Sequence, residues 1–140
     1  MKTGLDAVRW FDLPHQSDAR GVLASIESGE DIPFEVHRVF YMFGTPLGIE
    51  RGGHAHRDTQ QVVIAISGSF NVELSDGRAS RTFALEDPRR GLYMPPMIFI
   101  RLFDFSRDAV CLVLADTHYE ISRSIRTWQE FLALSGEGGA

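Results

Sequence analysis

Gly48-Ile49-Glu50-Arg51-Gly52-Gly53-His54-Ala55-His56-Arg57 holds two of the chain's five histidines, one residue apart behind a Gly-Gly pair. Apolar, β-rich sequence lies on both sides, so this stretch decides the fold. Read as a strand, its period of two puts His54 and His56 on one face and Ala55 on the other. Same-face neighbours on a strand stand ~6.6–6.8 Å apart. An unperturbed imidazole titrates near roughly pH 6.5. Two such rings facing one space can start a metal site, serve acid–base chemistry, or sit as polar residues on an edge strand.

Upstream, Phe34–Phe43 is rich in aromatic and β-branched residues and reads as a long strand. His37, Val39, Tyr41 and Phe43 share one of its faces; Val36, Arg38, Phe40 and Met42 share the other. Before it come a short extended segment over Val8–Leu13, a turn at Ser17–Gly21, a strand over Val22–Ile26 and a polar loop over Glu27–Pro33. Downstream, strands are predicted over Gln60–Ile66 and Phe70–Leu74. Asp76-Gly77 then marks a tight hairpin, because that pair tolerates positive φ angles. Further strands follow over Ala79–Leu85, Leu92–Met94, Ile98–Phe105 and Ala109–Ala115. One helix is expected, over about residues 125–134, with Thr127 and Glu130 at capping-box spacing. About ten short strands at regular spacing indicate an all-β barrel or sandwich spanning residues 8–118, within a single domain over 1–140.

Composition narrows the partners. Charged residues make up 24% of the 140, and the net charge is −5. No dense run of lysine or arginine tracks a phosphate backbone, so no nucleic-acid partner is expected. No apolar run approaches the roughly 20 residues of a membrane span, and the first residues lack the apolar core of a signal peptide. The expectation is a soluble, cytoplasmic chain with no membrane partner. Cys111 is the only cysteine and lies in an apolar run, as a small buried hydrophobe would.

Gly48, His54, His56 and Gly68 fall at the positions of the first cupin motif, Gly-x5-His-x-His-x4-Glu-x6-Gly. The resemblance implies a jelly-roll barrel, a double-stranded β-helix. The motif's glutamate is Gln61 here, and an amide is a poorer ligand for a divalent cation than a carboxylate. No histidine lies between Gly91 and Leu102, where the second motif supplies one. Two imidazoles without an acid make a weak metal site, so no metal and no cofactor is expected. Metal-free acid–base catalysis and small-molecule binding without turnover both stay open at this level.

Longer blocks resemble one group of cupins, the sugar 3,4-ketoisomerases (FdtA-type, WxcM-like). They are Asp18–Leu23, Arg51–Arg57, Gln60–Val63, Ile66–Ser69, Gly91–Met97, Asp104–Ser106 and Val113–Ala115, with Tyr119, Ile125-Arg126 and Phe131 beyond. The resemblance implies an isomerase that moves the carbonyl of dTDP-4-keto-6-deoxy-D-glucose from C4 to C3, usually as a homodimer, in the synthesis of deoxyamino sugars for surface glycans or antibiotics. It implies His56 as the carbon base and His54 as the proton shuttle, an order the residues alone leave open. Tyr41, Arg51 and Gln61 are candidate donors to the developing oxyanion. Arg20 and Arg101 are candidate substrate-binding cations. Arg101 interrupts an apolar strand, where a charge must pair or face a polar cavity. The alternatives are a non-catalytic sugar- or metabolite-binding cupin and a 3,5-epimerase of the same substrate.

Overall fold

In the computed structural model, residues 4–138 are described. A 3-10 turn over Gly4–Ala7 leads into β1 (Arg9–Asp12), then β2 (His15–Asp18) and β3 (Gly21–Ala24). Next come β4 (Arg38–Phe43), β5 (Arg51–His56), β6 (Gln61–Ser67), β7 (Phe70–Ser75) and β8 (Ser80–Leu85). The chain continues through β9 (Arg90–Met94), β10 (Phe99–Phe103), β11 (Val110–Ala115), the two-residue β12 (Ser124–Ile125) and the helix α1 (Trp128–Gly138). The all-β reading with one short C-terminal helix is borne out.

Two five-stranded antiparallel sheets form the barrel, in the orders β1-β9-β6-β11-β4 and β12-β5-β10-β7-β8. Their facing sides bury Val63, Val72, Leu74, Leu92, Ile100, Leu102 and Val113. Strand alternation leaves the other face of β6 and β11 apolar as well. Val62, Ile64 and Leu114 are buried there under Leu13, Ile32 and Phe34. That outer layer explains one departure from the sequence reading. Residues 34–37 are not strand: Phe34 folds back to cap Val62 and Ile64, so β4 starts at Arg38.

The second departure is at Ile125. The sequence reading starts the helix there, but Ile125 forms β12, pairs with Ala55 and is fully buried with Ala55, Phe99 and Phe131. The helix begins afterwards. The Thr127 hydroxyl accepts a hydrogen bond from the Glu130 backbone N–H at 3.1 Å, a cap contributing ~1 kcal/mol. Phe131 anchors α1 against the outer side of β5, the strand that carries both histidines.

The Asp76-Gly77 hairpin forms as expected between β7 and β8. The Asp76 carboxylate accepts from the backbone N–H groups of Arg78 and Ala79, and Gly77 takes φ +94°. By contrast, the β2–β3 hairpin pairs only with itself among the described residues, and all eight of its residues are exposed.

Candidate active site

β5 does not follow a plain period of two. Ile100 stands opposite His54, but its neighbour Arg101 stands opposite Gly52, so Gly53 is an extra residue in the pairing. Gly52 and Gly53 adopt φ of +86° and +73°, which only glycine takes readily. This bulge changes which side chains share a face. Arg51 lies opposite the inward-facing Leu102, and His54 lies opposite the inward-facing Ile100. Three residues apart, both reach the same cavity. It has a volume of about 230 Å³ and is bordered by His54, Arg51, Gln61, Phe40, Met42, Met94, Ile100 and Val113, among others.

The His54 and His56 rings pack edge to face with centroids 5.0 Å apart. His54 lines the cavity. His56 sits behind it, only 8% exposed, and its Nε2 is buried without a partner. Burial is the main reason that both pKa values fall, because desolvation disfavours the imidazolium. The charges of Arg38 and Arg126 depress His54 further, against a backbone hydrogen bond at Gly52. His56 is pushed down to about 4 by burial, His54 and Arg38, with Asp58 acting the other way. At neutral pH both rings are uncharged, so each has a lone pair free to accept a proton.

Gln61 is buried, 3% exposed, and lines the same cavity. Among the described residues it makes no side-chain hydrogen bond, so its amide is free to serve a ligand. The other histidines stand apart from the pair: His37 and His118 pack against each other with centroids 5.5 Å apart, and His15 caps the Leu13 carbonyl. No three His, Cys, Asp or Glu side chains among the described residues converge as a metal-binding group.

Two expected site residues, Arg101 and Arg20, are placed away from the cavity, and Tyr41 stands at its edge. Tyr41 borders the cavity from β4, but alternation turns its ring outward, 61% exposed and stacked on Phe43. Arg101 does not face the cavity. It lies across from Glu73 on the outer side of β10, where it makes ion pairs of 2.6 Å with both Glu50 and Glu73. The charge in the apolar strand is resolved by pairing, and the inward position belongs to Ile100. Arg20 projects from the β2–β3 turn, its side chain 90% exposed and bound to Asp18 at 2.7 Å. Sequence reasoning passed over Arg38. Its signal was present: a cation on the same face of β4 as Phe40 and Met42, both of which line the cavity.

The FdtA: WxcM-like, C-terminal family model matches residues 6–136. A relative named TDP-4-oxo-6-deoxy-alpha-D-glucose-3,4-oxoisomerase, from Aneurinibacillus thermoaerophilus, is 40% identical over 114 residues, covering 81% of this chain and 82% of its own. Among solved structures, QdtA from Thermoanaerobacterium thermosaccharolyticum, a sugar 3,4-ketoisomerase in complex with TDP, superposes with a TM-score of 0.94. The two are 32% identical, and the match covers 97% of this chain and 99% of QdtA. A histidine-to-asparagine mutant of QdtA, in complex with TDP-4-keto-6-deoxyglucose, matches with a TM-score of 0.93 at 32% identity, over 95% of this chain and 96% of that one. NovW, a 4-keto-6-deoxy sugar epimerase from Streptomyces spheroides, shares the fold alone, at 18% identity and a TM-score of 0.72 over 88% of this chain and 70% of its own. With its jelly-roll barrel and its paired histidines on β5, the chain belongs to the FdtA, WxcM-like family of cupin sugar 3,4-ketoisomerases.

Proposed function

We propose that this chain moves the carbonyl of a dTDP-linked 4-keto-6-deoxyglucose from C4 to C3, with His54 and His56 as its acid–base pair. The observation that carries this is a pair of adjacent, uncharged imidazoles at a cavity, one lining it and one directly behind. The 4-keto group acidifies the C3 hydrogen. Removal of that proton leaves the electron pair of the C3–H bond in a C3=C4 double bond, with negative charge on O4. The O3 proton is transferred to O4, C3 becomes the carbonyl, and a proton is returned to C4. The net change relocates hydrogens and consumes no oxidant or reductant.

His54 is the better carbon base, because it lines the cavity and His56 does not. This reverses the order that the family resemblance implied. His56 then relays protons from behind. Arg51 and Gln61 line the same cavity and supply donors to the sugar oxygens. The cavity is smaller than the roughly 300–1,000 Å³ that holds a whole drug-sized ligand. The hexose therefore enters and the nucleotide lies at the mouth. A homodimer fits the β2–β3 hairpin, which pairs with no other strand among the described residues, and the exposed Val39, Tyr41 and Phe43 of the edge strand β4. In such a dimer Arg20, at the tip of that hairpin, reaches a substrate held by the partner subunit. The product would then serve a transaminase that makes a 3-amino sugar for a surface glycan or an antibiotic, in the cytoplasm.

The test is turnover of dTDP-4-keto-6-deoxyglucose in deuterated water. We expect conversion to the 3-keto isomer with deuterium at C3 or C4. In His54→Asn and His56→Asn, kcat should fall by about 10²–10⁴-fold with dTDP affinity retained. Deuterium at C5 alone would indicate 3,5-epimerisation, and binding without any exchange would indicate a non-catalytic module.

A further inference from the structure

One row of paired residues crosses the inner face of the first sheet: Arg38 on β4, Ala115 on β11, Gln61 on β6 and Met94 on β9. Directly paired residues in a sheet point to the same side. Gln61 and Met94 line the cavity, so the row places Arg38 on the cavity side of its strand. The next row confirms the facing, since Phe40, Val113 and Val63 are paired alike and all three line the cavity. Ala115 is the smallest member of the Arg38 row.

The guanidinium of Arg38 lies over two rings, Phe40 at 5.0 Å and Tyr119 at 5.5 Å. These ring faces hold its plane without using its N–H donors. Its Nε is buried and has no partner. Its situation differs from that of six other arginines in the chain. Arg20, Arg57, Arg89, Arg90, Arg101 and Arg123 all have carboxylate partners. Arg38 has none among the described residues. A buried donor left unpaired is costly, and a cation held by aromatic faces is preorganised for an anion that arrives later. That anion forms on the same side of the sheet, in the cavity that His54 and Gln61 line, and the Arg38 charge acts on both histidines.

We infer that Arg38 is a catalytic residue of the isomerisation, donating its free guanidinium N–H groups to the enediolate oxygen that forms between C3 and C4. This rests on the reaction proposed above and assigns to Arg38 the oxyanion role for which Tyr41 was a candidate. When the carbon-bound proton goes to His54, the electron pair it leaves behind ends as charge on O4. Arg38 meets that charge without itself losing a proton. A donor aimed at charge present only in the intermediate raises kcat and leaves ground-state binding nearly unchanged.

The test compares Arg38→Gln and Arg38→Lys with wild type on dTDP-4-keto-6-deoxyglucose, alongside dTDP affinity and the NMR titration of the His54 and His56 ring protons. For Arg38→Gln we expect kcat to fall by about 10²–10³-fold, with KM and dTDP affinity within a few-fold of wild type. Arg38→Lys should recover at least about tenfold of that loss, because a point charge replaces the fork. The titration of His56 should move upward from about 4 in Arg38→Gln, as one of the cations depressing it is removed. The groups acting on that titration are His54, Arg38 and Asp58 on His56, and Arg126 and Arg38 on His54. Wild-type kcat in Arg38→Gln overturns the inference. So does weakened dTDP binding with kcat intact, which would make Arg38 a diphosphate ligand. If wild type fails to turn over this substrate, the reaction proposed above fails. The ring titration then decides the placement of Arg38 by itself: an unmoved His56 overturns it.

Discussion

His54 and His56 stand two positions apart on one strand, yet their surroundings divide the work. His54 opens on the cavity, while His56 is packed behind it with an unpartnered Nε2. Both pKa values lie below the ordinary imidazole value of roughly 6.5, that of His56 at about 4. The active form of a base is the neutral ring, and lowering its pKa keeps the ring neutral to lower pH. We therefore expect the acid limb of kcat/KM, which reports the free enzyme, to have its midpoint below pH 6.5. A stopped assay from pH 4.5 to 8 checks this, and a midpoint at or above 6.5 would contradict the burial-driven shift. The same depression acts on folding. Between the folded and the unfolded pKa the unfolded chain binds the extra proton, so stability falls as pH drops from about 6.5 toward about 4.

At the scale of the element, β5 depends on its bulge. A Cβ on Gly52 would lie 2.7 Å from the Ile100 carbonyl oxygen, in addition to the strain of φ +86°. A Cβ on Gly53 would meet nothing within 4 Å and bears only the strain of φ +73°. We expect Gly53→Ala to cost ~1–2 kcal/mol and Gly52→Ala ~1–3 kcal/mol more, in the range of overpacking. Urea denaturation reads the difference. Gly52→Ala should also lower kcat more than Gly53→Ala, since relief of the clash must move β5 against β10 and displace His54. Equal costs would mean that the close approach to Ile100 is not a constraint.

For the whole molecule, the open question is what covers the outer face of β4. Val39, Tyr41 and Phe43 are all exposed on an edge strand, and the β2–β3 hairpin pairs with nothing else among the described residues. Exposed apolar edges invite pairing with another chain. We expect sedimentation to show a dimer, and the double substitution Tyr41→Asp and Phe43→Asp to shift it to monomer with the barrel's circular dichroism retained. If Arg20 serves the partner's substrate, the monomer should also lose affinity for the nucleotide sugar. A wild-type monomer would remove both the dimer and the role of Arg20.

Much of this is legible in the sequence alone. Strand content follows from alternation and turn chemistry, which are local: Asp76-Gly77 makes its turn from its own backbone, and Thr127 caps its own helix. The His-x-His pair sharing a face also follows from period two. Three things did not follow. Arg51 and His54, an odd number of residues apart, share a face only because Gly53 is an extra residue against β10. Arg38 and Arg101 are both cations in apolar strands, and the pattern cannot say which one turns inward. The pairing of Arg101 with Glu50 and Glu73 settles that, since those carboxylates lie 51 and 28 residues away in the chain. His54 and His56 are equivalent in the sequence, and only the packing behind β5 makes one line the cavity and buries the other. Sequence determined the elements and the chemistry they carry, because propensity and periodicity act over a few residues. Tertiary structure decided which side chains meet, because register, bulges and ion pairs join strands far apart in the chain.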